Sequence, residues 1–242
     1  MCCCIRSRAD NGSCPAQGLL TMLQRQYTAE IMDDFSIQDE RIDIALRELK
    51  LVNTFLGGKT TTAEGFRILR KRTNIVRTLK VLDVGSGGSD IFGNNKENLS
   101  VTALDRNPRT CDYIRQHSPF TVICGDAQRL PFESKSFDVV HASLFLHHFS
   151  EKDITILLLS FAEVSKIGII INDLRRSILA LAGIKILTMI FSKSSMVKND
   201  APLSVLRGFS RNELQNILND CGFKHFVIKR TWAFRWLVVI VL

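Results

Sequence analysis

The spacing of apolar residues divides the chain into a helical beginning and a longer remainder in which short apolar runs alternate with helical stretches. Over residues 39–56 the apolar positions recur at intervals of three and four. They are Ile42, Ala45, Leu46, Leu49, Val52 and Leu56. This period predicts an amphipathic helix that ends at the pair Gly57-Gly58. A second, shorter helix is predicted over residues 60–73.

From residue 79 onward the pattern indicates strands. Five apolar runs are predicted as strands: 79–84, 99–105, 120–126, 137–143 and 167–173. A helix over residues 152–165 separates the last two. Runs that are apolar on both faces are typical of strands covered by helices on both sides. The repetition of strand, helix and strand therefore predicts a doubly wound sheet with right-handed crossovers.

The C-terminal third predicts helices followed by two adjacent strands. An apolar helix is expected over 178–191, followed by a polar loop, and Ser210 with Glu213 forms a capping box that opens another helix. The last strands, 223–230 and 234–242, have no helix between them and can pair only as an antiparallel hairpin at a sheet edge. The expected fold is α/β, with a single doubly wound, mostly parallel, seven-stranded sheet that ends in this hairpin.

The cysteines bear on domain limits and compartment. Four of the seven fall within the first fourteen residues, and no pair of them has the spacing of a zinc site. An odd count argues against a disulfide framework, so free thiols in a reducing cytoplasm are expected, with no metal. Residues 1–20 are predicted to be a disordered leader, 21–75 a helical cap, and 76–242 the main domain with a helical insertion at about 174–209.

Charge and hydropathy limit the classes of partner that are expected for this protein. The formal net charge is +8 at pH 7, but the basic residues are scattered, so nucleic acid is not the favoured partner. No apolar run reaches the roughly 18 to 20 residues that a membrane span needs. A small-molecule ligand is predicted, contact with a membrane surface is left open, and no oligomeric state is predicted.

A glycine-rich turn and three carboxylates point to a nucleotide-like cofactor. The first strand carries Asp83 and runs into Gly85-Ser86-Gly87, where a side chain would block close approach of a ligand. Asp105 ends the second strand and can accept hydrogen bonds from ribose hydroxyls. Asp126 follows the third and can accept from an adenine amino group. Ligands bind at this carboxyl edge in open α/β sheets.

The same turn argues against a dinucleotide. The NAD fingerprint requires G-x-G-x-x-G, whose third glycine lets the helix pack against the strand while pyrophosphate sits at the helix N-terminus. In the frame from Gly85 the third position is Asp90, whose charge would repel pyrophosphate. A cofactor with a sulfonium and no phosphate would tolerate this acid.

These motifs resemble one enzyme family. The run 82–87, Leu-Asp-Val-Gly-Ser-Gly, resembles motif I of the class I S-adenosylmethionine-dependent methyltransferases, which have a Rossmann-like fold. The string 125–132, Gly-Asp-Ala-Gln-Arg-Leu-Pro-Phe, with Ser-Phe-Asp-Val-Val at 136–140, looks like the signature of the ubiquinone/menaquinone-biosynthesis-like branch. The flanks 47–53 and 172–177 are similar to methyltransferases that accompany type III polyketide synthases.

The resemblance implies S-adenosyl-L-methionine as cofactor and assigns parts of its site. Asp83 and Gly85 to Gly87 would hold the methionine part, Asp105 the ribose, and Asp126 with Ala127 the adenine end. The full set of predicted cofactor-binding residues is Asp83, Gly85, Ser86, Gly87, Asp105, Arg106, Asp126, Ala127 and Ser143. Two departures from the family pattern, Ser89 in place of the last motif glycine and the interrupted helix at 93–95, imply weaker binding or an inactive copy.

Candidate acceptor chemistry lies beyond the fourth and fifth strands. Methyl transfer to an oxygen benefits from a base, because a phenol has a pKa near 10. The family's O-methyltransferases use a His from a Leu-His-His motif with an Asp after strand five. This implies His147 as the base and Asp173 as the residue that orients it, with His148 in reserve. The alternative is that these histidines only cap a helix or shape the pocket.

The acceptor itself is predicted to be small and apolar, of phenolic, quinol or polyketide type, with O-methylation favoured. Its site is expected from residues 28–72 and 174–209. The helix 178–191 is apolar nearly all round, which favours ordinary burial over a lid or membrane face. Two rivals stay open: a non-catalytic methyltransferase-like binding module, and an RNA or protein methyltransferase.

Overall fold

A seven-stranded sheet forms the centre of the molecule. The computed structural model describes residues 24–92 and 98–242. The strands are β1 (Leu79–Val84), β2 (Leu99–Asp105), β3 (Thr121–Cys124), β4 (Phe137–Ser143), β5 (Ser165–Leu174), β6 (Phe226–Thr231) and β7 (Arg235–Val241). Their order is β3-β2-β1-β4-β5-β7-β6. Strands β1 to β5 pair in parallel, and β7 is antiparallel to both β5 and β6. The predicted sheet and its C-terminal hairpin are confirmed.

Seven α-helices accompany these strands in the described part of the chain. They are α1 (Glu40–Phe55), α2 (Gly58–Thr73), α3 (Pro108–His117), α4 (Glu151–Val164), α5 (Ile178–Phe191), α6 (Ser195–Arg207) and α7 (Arg211–Asp220). Short 3-10 turns lie at Ile31–Asp33, Asp90–Phe92, Ala127–Arg129 and Leu146–His148. The predicted capping box is present, because Ser210 and Glu213 each accept the other's backbone N–H.

Each face of the sheet is covered by a separate apolar cluster. On one face, helices α4 and α7 bury residues such as Leu157 and Ile217 against Leu82 and Val84 of β1. On the other, Phe66 and Leu69 of α2 pack on the alternate positions of the strands, among them Val81. The alternation along β1 follows from the two-residue period of a strand, and it explains why the strands read as apolar on both sides.

The segment 192–209 differs from its prediction as a polar loop. It contains α6, a helix of 13 residues that begins at an N-cap where the Ser194 hydroxyl accepts from Val197 N–H. Pro202 lies inside this helix. The prediction was wrong because scattered polar residues and an internal proline conceal a helix whose buried side comes from tertiary contacts. Its described buried residues are Met196, Val197, Asp200, Val205 and Arg207.

The prediction that α5 is ordinarily buried is also wrong. Of its 14 residues, only Ala180, Leu181 and Thr188 are buried. Its most exposed side chains include Leu179 and Phe191, which are 72% and 73% exposed. An apolar sequence therefore does not by itself tell which side of a helix meets the core. None of the described helices has the length and apolar character needed to cross a bilayer.

The division into a leader, a cap over 21–75 and a main domain stays a prediction. Residues 1–23 lie outside the described part of the chain, so the leader is not addressed by the structure. Residues 93–97, which include the predicted interruption of the first helix, also lie outside it.

Candidate active site

The glycine-rich turn after β1 is folded as a positive-φ loop. Gly85 and Gly87 have φ of 62° and 51°, a region that glycine adopts without steric cost. A Cβ on Gly85 would overlap the ring of Phe145, so that position needs glycine for space as well. The turn is tied to the second strand, because Ser86 N–H donates to the carbonyl of Leu104 over 3.1 Å. The loop thereby presents bare backbone toward the cavity described below.

Asp105 lies at the end of β2 beside this turn. Its carboxylate accepts from Gly87 N–H and from Asn107 N–H, each over 3.0 Å. Burial raises the pKa of Asp105 to about 6, a rise that these two hydrogen bonds oppose and the nearby charge of Asp83 reinforces. Because the folded-state pKa lies above the ordinary value, the contribution of this group to stability is greatest below pH 3.8 and is lost as the pH rises through about 6. Ionised Asp105 therefore costs stability at neutral pH, which is typical of a binding group.

This pKa sets an expected pH dependence for a ligand that donates hydroxyl hydrogens to Asp105. The ionised carboxylate is the stronger acceptor, so affinity is expected to rise as the pH increases through about 6. Titrations with S-adenosylhomocysteine, which carries no sulfonium charge, at closely spaced pH values measure this. An affinity that is flat across this range in the wild type, or a rise that persists in Asp105→Asn, contradicts the assignment.

The predicted adenine end is formed by the loop after β3. The Asp126 carboxylate accepts from Gln128 N–H over 2.9 Å and forms an ion pair with Arg106 at 3.5 Å. The Arg106 guanidinium also stacks over Phe35, 4.7 Å from the ring centre. Asp126, Ala127 and Arg106 line the same cavity as Asp105. Their side chains thus lie together, as the spacing of the strand ends predicts.

Asp83 is placed differently from the other predicted cofactor-binding residues. It is 2% exposed and accepts from His141 Nδ1 at 2.6 Å. The other ring nitrogen of His141 lies 3.0 Å from the hydroxyl of Thr62. Asp83 is not among the residues that line the cavity. Its side chain points to the face of the sheet that α2 covers, so the expectation that it lines the cleft directly is corrected to a supporting place beneath the turn.

Ser89, which replaces the last glycine of the motif, stands in the left-handed region with φ of 51°. It is 3% exposed, and its hydroxyl is among the buried described atoms that have no hydrogen-bond partner. A non-glycine residue in this region is strained, and an unpaired buried hydroxyl adds to the cost. The turn is nevertheless formed, with Ser89 N–H donating to the Ser86 carbonyl over 2.8 Å.

Ser89→Gly is expected to raise the free energy of unfolding by about 1 kcal/mol, because the relief of left-handed strain exceeds the added entropy of the unfolded chain. Ser89→Ala is the matched control: it removes the hydroxyl but keeps the Cβ, so it should recover only part of the gain. Denaturant unfolding measures both. A destabilised glycine variant contradicts the strain argument.

The Leu-His-His motif forms a turn that brings His147 against Asp173. His147 Nδ1 lies 2.7 Å from Asp173 Oδ1, and both side chains are almost fully buried. The second carboxylate oxygen of Asp173 accepts from the backbone N–H of Leu146 over 2.9 Å and holds the turn in place. The two residues are 26 positions apart, with His147 in the turn that follows β4 and Asp173 near the end of the neighbouring strand β5. The predicted pair is therefore formed, and the Nε2 atom of His147 is not bound to Asp173.

Glu30, which sequence reasoning missed, faces that Nε2. The distance from His147 Nε2 to Glu30 Oε1 is 3.5 Å, and Glu30 is 7% exposed. Burial alone would lower the pKa of His147, but the charge and hydrogen bond of Asp173, joined by Glu30, raise it to about 9. This stabilising contribution is complete below pH 6.5 and is lost as the pH rises through about 9. Glu30 in this position therefore favours the protonated form of His147.

Two buried arginines hold the segment that carries Glu30. Arg25 donates to the carbonyls of Arg207 and Phe149 over 2.8 and 2.9 Å. Arg207 donates to the carbonyl of Thr28 over 3.1 Å and pairs with Asp33 at 2.8 Å. These contacts join positions more than a hundred residues apart, so no local spacing in the sequence signals them.

Glu30, His147 and His148 also place one possible ligand atom each within 4.8 Å of one another. We assign no metal to this group. Its two buried members already face each other as an ion pair, and the guanidinium of Arg207 lies 3.7 Å from the same Glu30 oxygen. The positive charge of Arg207 at that distance repels a metal cation. In addition, His148 Nδ1 is already bound to Asp33 at 2.6 Å.

The glycine turn, Asp105, Asp126, Glu30 and His147 line one cavity of about 470 Å³ at the carboxyl edge of the sheet, whereas Asp83 and Asp173 are not among its lining residues. One end is lined by the glycine turn, Asp105, Asp126 and Ser143, and the other by Glu30 and the two histidines. The remaining lining is largely apolar. It includes Tyr27, Met32, Phe35, Leu49, Leu144, Phe145, Phe149, Leu174, Val197 and Ala201. Residues from 28–72 and 174–209 contribute as predicted, although α5 does not.

Comparisons with known proteins bear on this arrangement. Residues 81–168 match a family model described as a methyltransferase domain. The fold is similar to that of an S-adenosylmethionine-dependent methyltransferase from Aquifex aeolicus, with a TM-score of 0.57 and 15% identity, over 81% of this chain and 96% of that one. Residues 81–168 thus match a methyltransferase domain, and the sheet and helices around them have the fold of an S-adenosylmethionine-dependent methyltransferase. No curated protein matches its sequence.

Two further solved structures share the methyltransferase fold. One is the plantazolicin methyltransferase, in complex with a triazolic desmethyl analogue and S-adenosylhomocysteine, at a TM-score of 0.59 and 16% identity, over 79% of this chain and 72% of that one. The other is the magnesium protoporphyrin IX methyltransferase from Synechocystis, with bound S-adenosylhomocysteine. Its TM-score is 0.51 and its identity 15%, over 76% of this chain and 82% of that one. S-Adenosylhomocysteine is what remains of S-adenosylmethionine after methyl transfer, so these structures point to S-adenosylmethionine as the cofactor to fit to the cavity.

The residues of the cavity fit this cofactor. The glycine turn lines the cavity largely with backbone, and the Ser143 hydroxyl is buried at the cavity without a partner among the described atoms. Asp105 offers a carboxylate for ribose hydroxyls. The cavity presents no phosphate-binding helix N-terminus directly after β1, where only a 3-10 turn, Asp90–Phe92, follows within the described residues. When bound, the cofactor supplies a methyl group activated by its positive sulfur.

Proposed function

We propose that this protein is a class I S-adenosylmethionine-dependent methyltransferase, and that it methylates the oxygen of a small, apolar acceptor of phenolic, quinol or polyketide type. The observation that carries the proposal is the buried Asp173–His147 pair at one end of the cavity, with the glycine turn and Asp105 at the other. In this assignment Gly85, Ser86, Gly87, Asp105, Arg106, Asp126, Ala127 and Ser143 hold the cofactor. Asp83 supports their turn from behind.

The volume and lining of the cavity favour a small acceptor. Sites for a single ligand span about 300 to 1,000 Å³, and 470 Å³ has to take both the cofactor and the acceptor. The segment from Tyr27 to Phe35 lies over the cavity, and its aromatic side chains would contact a planar acceptor. These features support a small molecule over RNA or protein.

His147 is proposed to accept the proton of the acceptor hydroxyl. Asp173 fixes its ring through Nδ1, which leaves Nε2 to face the reacting oxygen, as in other oriented histidine bases. Glu30 occupies the Nε2 side, so we infer that the acceptor hydroxyl displaces the Glu30 side chain. Loss of that negative neighbour lowers the pKa of His147 and frees the base. The chain then needs only to align acceptor oxygen and methyl carbon, an orientation worth about 7 to 11 kcal/mol.

We also propose a branch of the methyltransferase family for this protein. The string at 125–132 supports the ubiquinone/menaquinone-biosynthesis-like branch, and the flanks support the polyketide-associated group. Two proteins of the same fold are named for the acceptors plantazolicin and magnesium protoporphyrin IX. The described cysteines, Cys111, Cys124 and Cys221, are free thiols, which supports a cytoplasmic location.

The test is a panel of acceptors assayed with S-adenosylmethionine and followed by mass spectrometry. We expect a mass gain of one methyl group on at least one planar phenol or quinol, and none on a short RNA or peptide. Blocking the phenol as its methyl ether should abolish transfer if oxygen is the acceptor. Transfer that persists on the blocked compound points to carbon, and methylation confined to RNA or peptide overturns the small-acceptor proposal.

A further inference from the structure

The helix α5 carries an exposed apolar face that the methyl-transfer site does not use. Six of its large side chains are half or more exposed: Ile178, Leu179, Ile186, Met189, Ile190 and Phe191. Leu179, Ile186 and Ile190 recur at helical intervals, so they lie along one side. No α5 residue lines the cavity. A continuous apolar stripe of this kind on a monomer marks a surface that is covered by something else.

Neighbouring elements extend this face. The Glu48 carboxylate of α1 accepts from the Ser192 hydroxyl over 2.5 Å and from Lys193 N–H over 2.8 Å, which brings the end of α5 against α1. Leu51 and Phe55 follow Glu48 at intervals of three and seven residues, on the same side of α1, and are 58% and 72% exposed. We call α5 with these two residues the α5 surface.

The segment that carries α5 has charges of one sign. Residues 174–199 contain five Lys and Arg and no Asp or Glu. Lys185, Lys193 and Lys198 among them are exposed. Glu48, the acid nearest in contact, has its carboxylate engaged by the hydrogen bonds to residues 192–194. An apolar helix face edged by lysines is the pattern of a helix that lies in the headgroup region of an anionic bilayer.

We propose that the α5 surface docks this enzyme on an anionic lipid bilayer. The helix would lie on the bilayer and not cross it, because 14 residues span about 21 Å and a bilayer core is about 30 Å thick. A second copy fits less well. A two-fold dimer through this surface would set its lysines near their own counterparts with no acid on the surface to offset them.

The docked orientation is relevant to how the acceptor of the methyl group reaches the cavity. Leu174 and Val197, which flank α5 in the sequence, both line the cavity, and so does Leu49 of α1. Helix α1, which carries part of the α5 surface, therefore also lines the cavity, and the residues that flank α5 lie on the cavity wall. This relation adds to the proposed function but does not depend on it, because vesicle binding needs neither cofactor nor acceptor.

Vesicle co-sedimentation of the full chain tests the proposal. Vesicles of phosphatidylcholine alone are compared with equimolar phosphatidylcholine and phosphatidylserine, and we expect clear binding to the anionic vesicles that weakens with added salt. The triple variant Ile186→Ser, Met189→Ser, Phe191→Ser should reduce this binding about tenfold or more. Its side chains are exposed, so thermal unfolding should stay unchanged and exclude a folding defect.

Two controls make the result specific. Ile156→Ser with Leu159→Ser changes two apolar residues on α4 that are 50% and 49% exposed, and binding should not change. Lys185→Glu with Lys193→Glu should lower binding to anionic vesicles while keeping the apolar residues. Absence of binding to anionic vesicles, or equal binding by the triple variant, overturns the proposal. So does a wild-type dimer in solution that the triple variant abolishes, since that outcome assigns the surface to a second copy.

Discussion

Replacement of His147 by alanine is expected to lower kcat about a hundredfold while leaving affinity for S-adenosylmethionine close to that of the wild type. The imidazole is the group of the cavity best placed to remove a hydroxyl proton, because Asp173 holds its Nδ1 at 2.7 Å. Loss of a general base typically costs a factor of about 10² to 10⁴. Initial rates with the best acceptor of the panel, together with calorimetric cofactor titration, separate catalysis from binding.

A second variant separates a base from a structural histidine. Glu30→Gln keeps the shape of the side chain but removes one of the charges that hold the pKa of His147 at about 9. If His147 is the base, the rise of kcat/KM with pH should move to lower pH in this variant, because the free enzyme's base loses its proton earlier. A merely structural His147 would leave the position of that rise unchanged. An unaltered rate for His147→Ala removes the residue from the mechanism.

Asp105→Asn is expected to weaken the binding of S-adenosylmethionine about ten- to a hundredfold. An amide can replace only part of the acceptor capacity of the carboxylate, and hydrogen bonds to a charged group contribute about 1.5 to 3 kcal/mol. Because Asp105 ionises at a cost in this position, the same change should not lower the stability of the apoprotein at neutral pH. Equilibrium titration and thermal unfolding measure the two effects.

The matched control for this variant is Asp112→Asn. Asp112 lies on α3, its side chain is 61% exposed, and it pairs only with Arg115 among the ion pairs of the described residues. The variant Asp112→Asn therefore makes the same change of charge at a residue that does not line the cavity. Equal loss of affinity in the two variants would show a general charge effect and contradict a specific contact with Asp105.

Local periodicity was sufficient to predict the sheet and its binding edge. Strands β1 and β2 are buried on both faces, so their apolar runs are continuous, and the acids and glycines that break them mark the strand ends. Since parallel strands end at the same edge, Asp105 and Asp126 could be placed together from spacing alone. The capping box at Ser210 identified its helix for a similar reason, since both partners lie within one turn.

The features that were missed depend on contacts distant in sequence. Glu30 meets His147 across 117 positions, and Arg207 meets Asp33 across 174. Neither pair leaves a periodic signal. Asp83 was misplaced because its position at a strand end is compatible with either face, and only the partner His141 decides between them. The exposure of α5 was unpredictable for the opposite reason, because an all-apolar helix has no polar face from which to infer its orientation.

The central claim is that the cavity at the carboxyl edge binds S-adenosylmethionine through Asp105 and the glycine turn. Isothermal titration of the purified full chain with S-adenosylmethionine at neutral pH tests it most directly. The account predicts saturable binding at a single site, which Gly85→Val abolishes, because a side chain there would collide with Phe145. No heat of binding at millimolar cofactor, from protein that unfolds cooperatively, would contradict it.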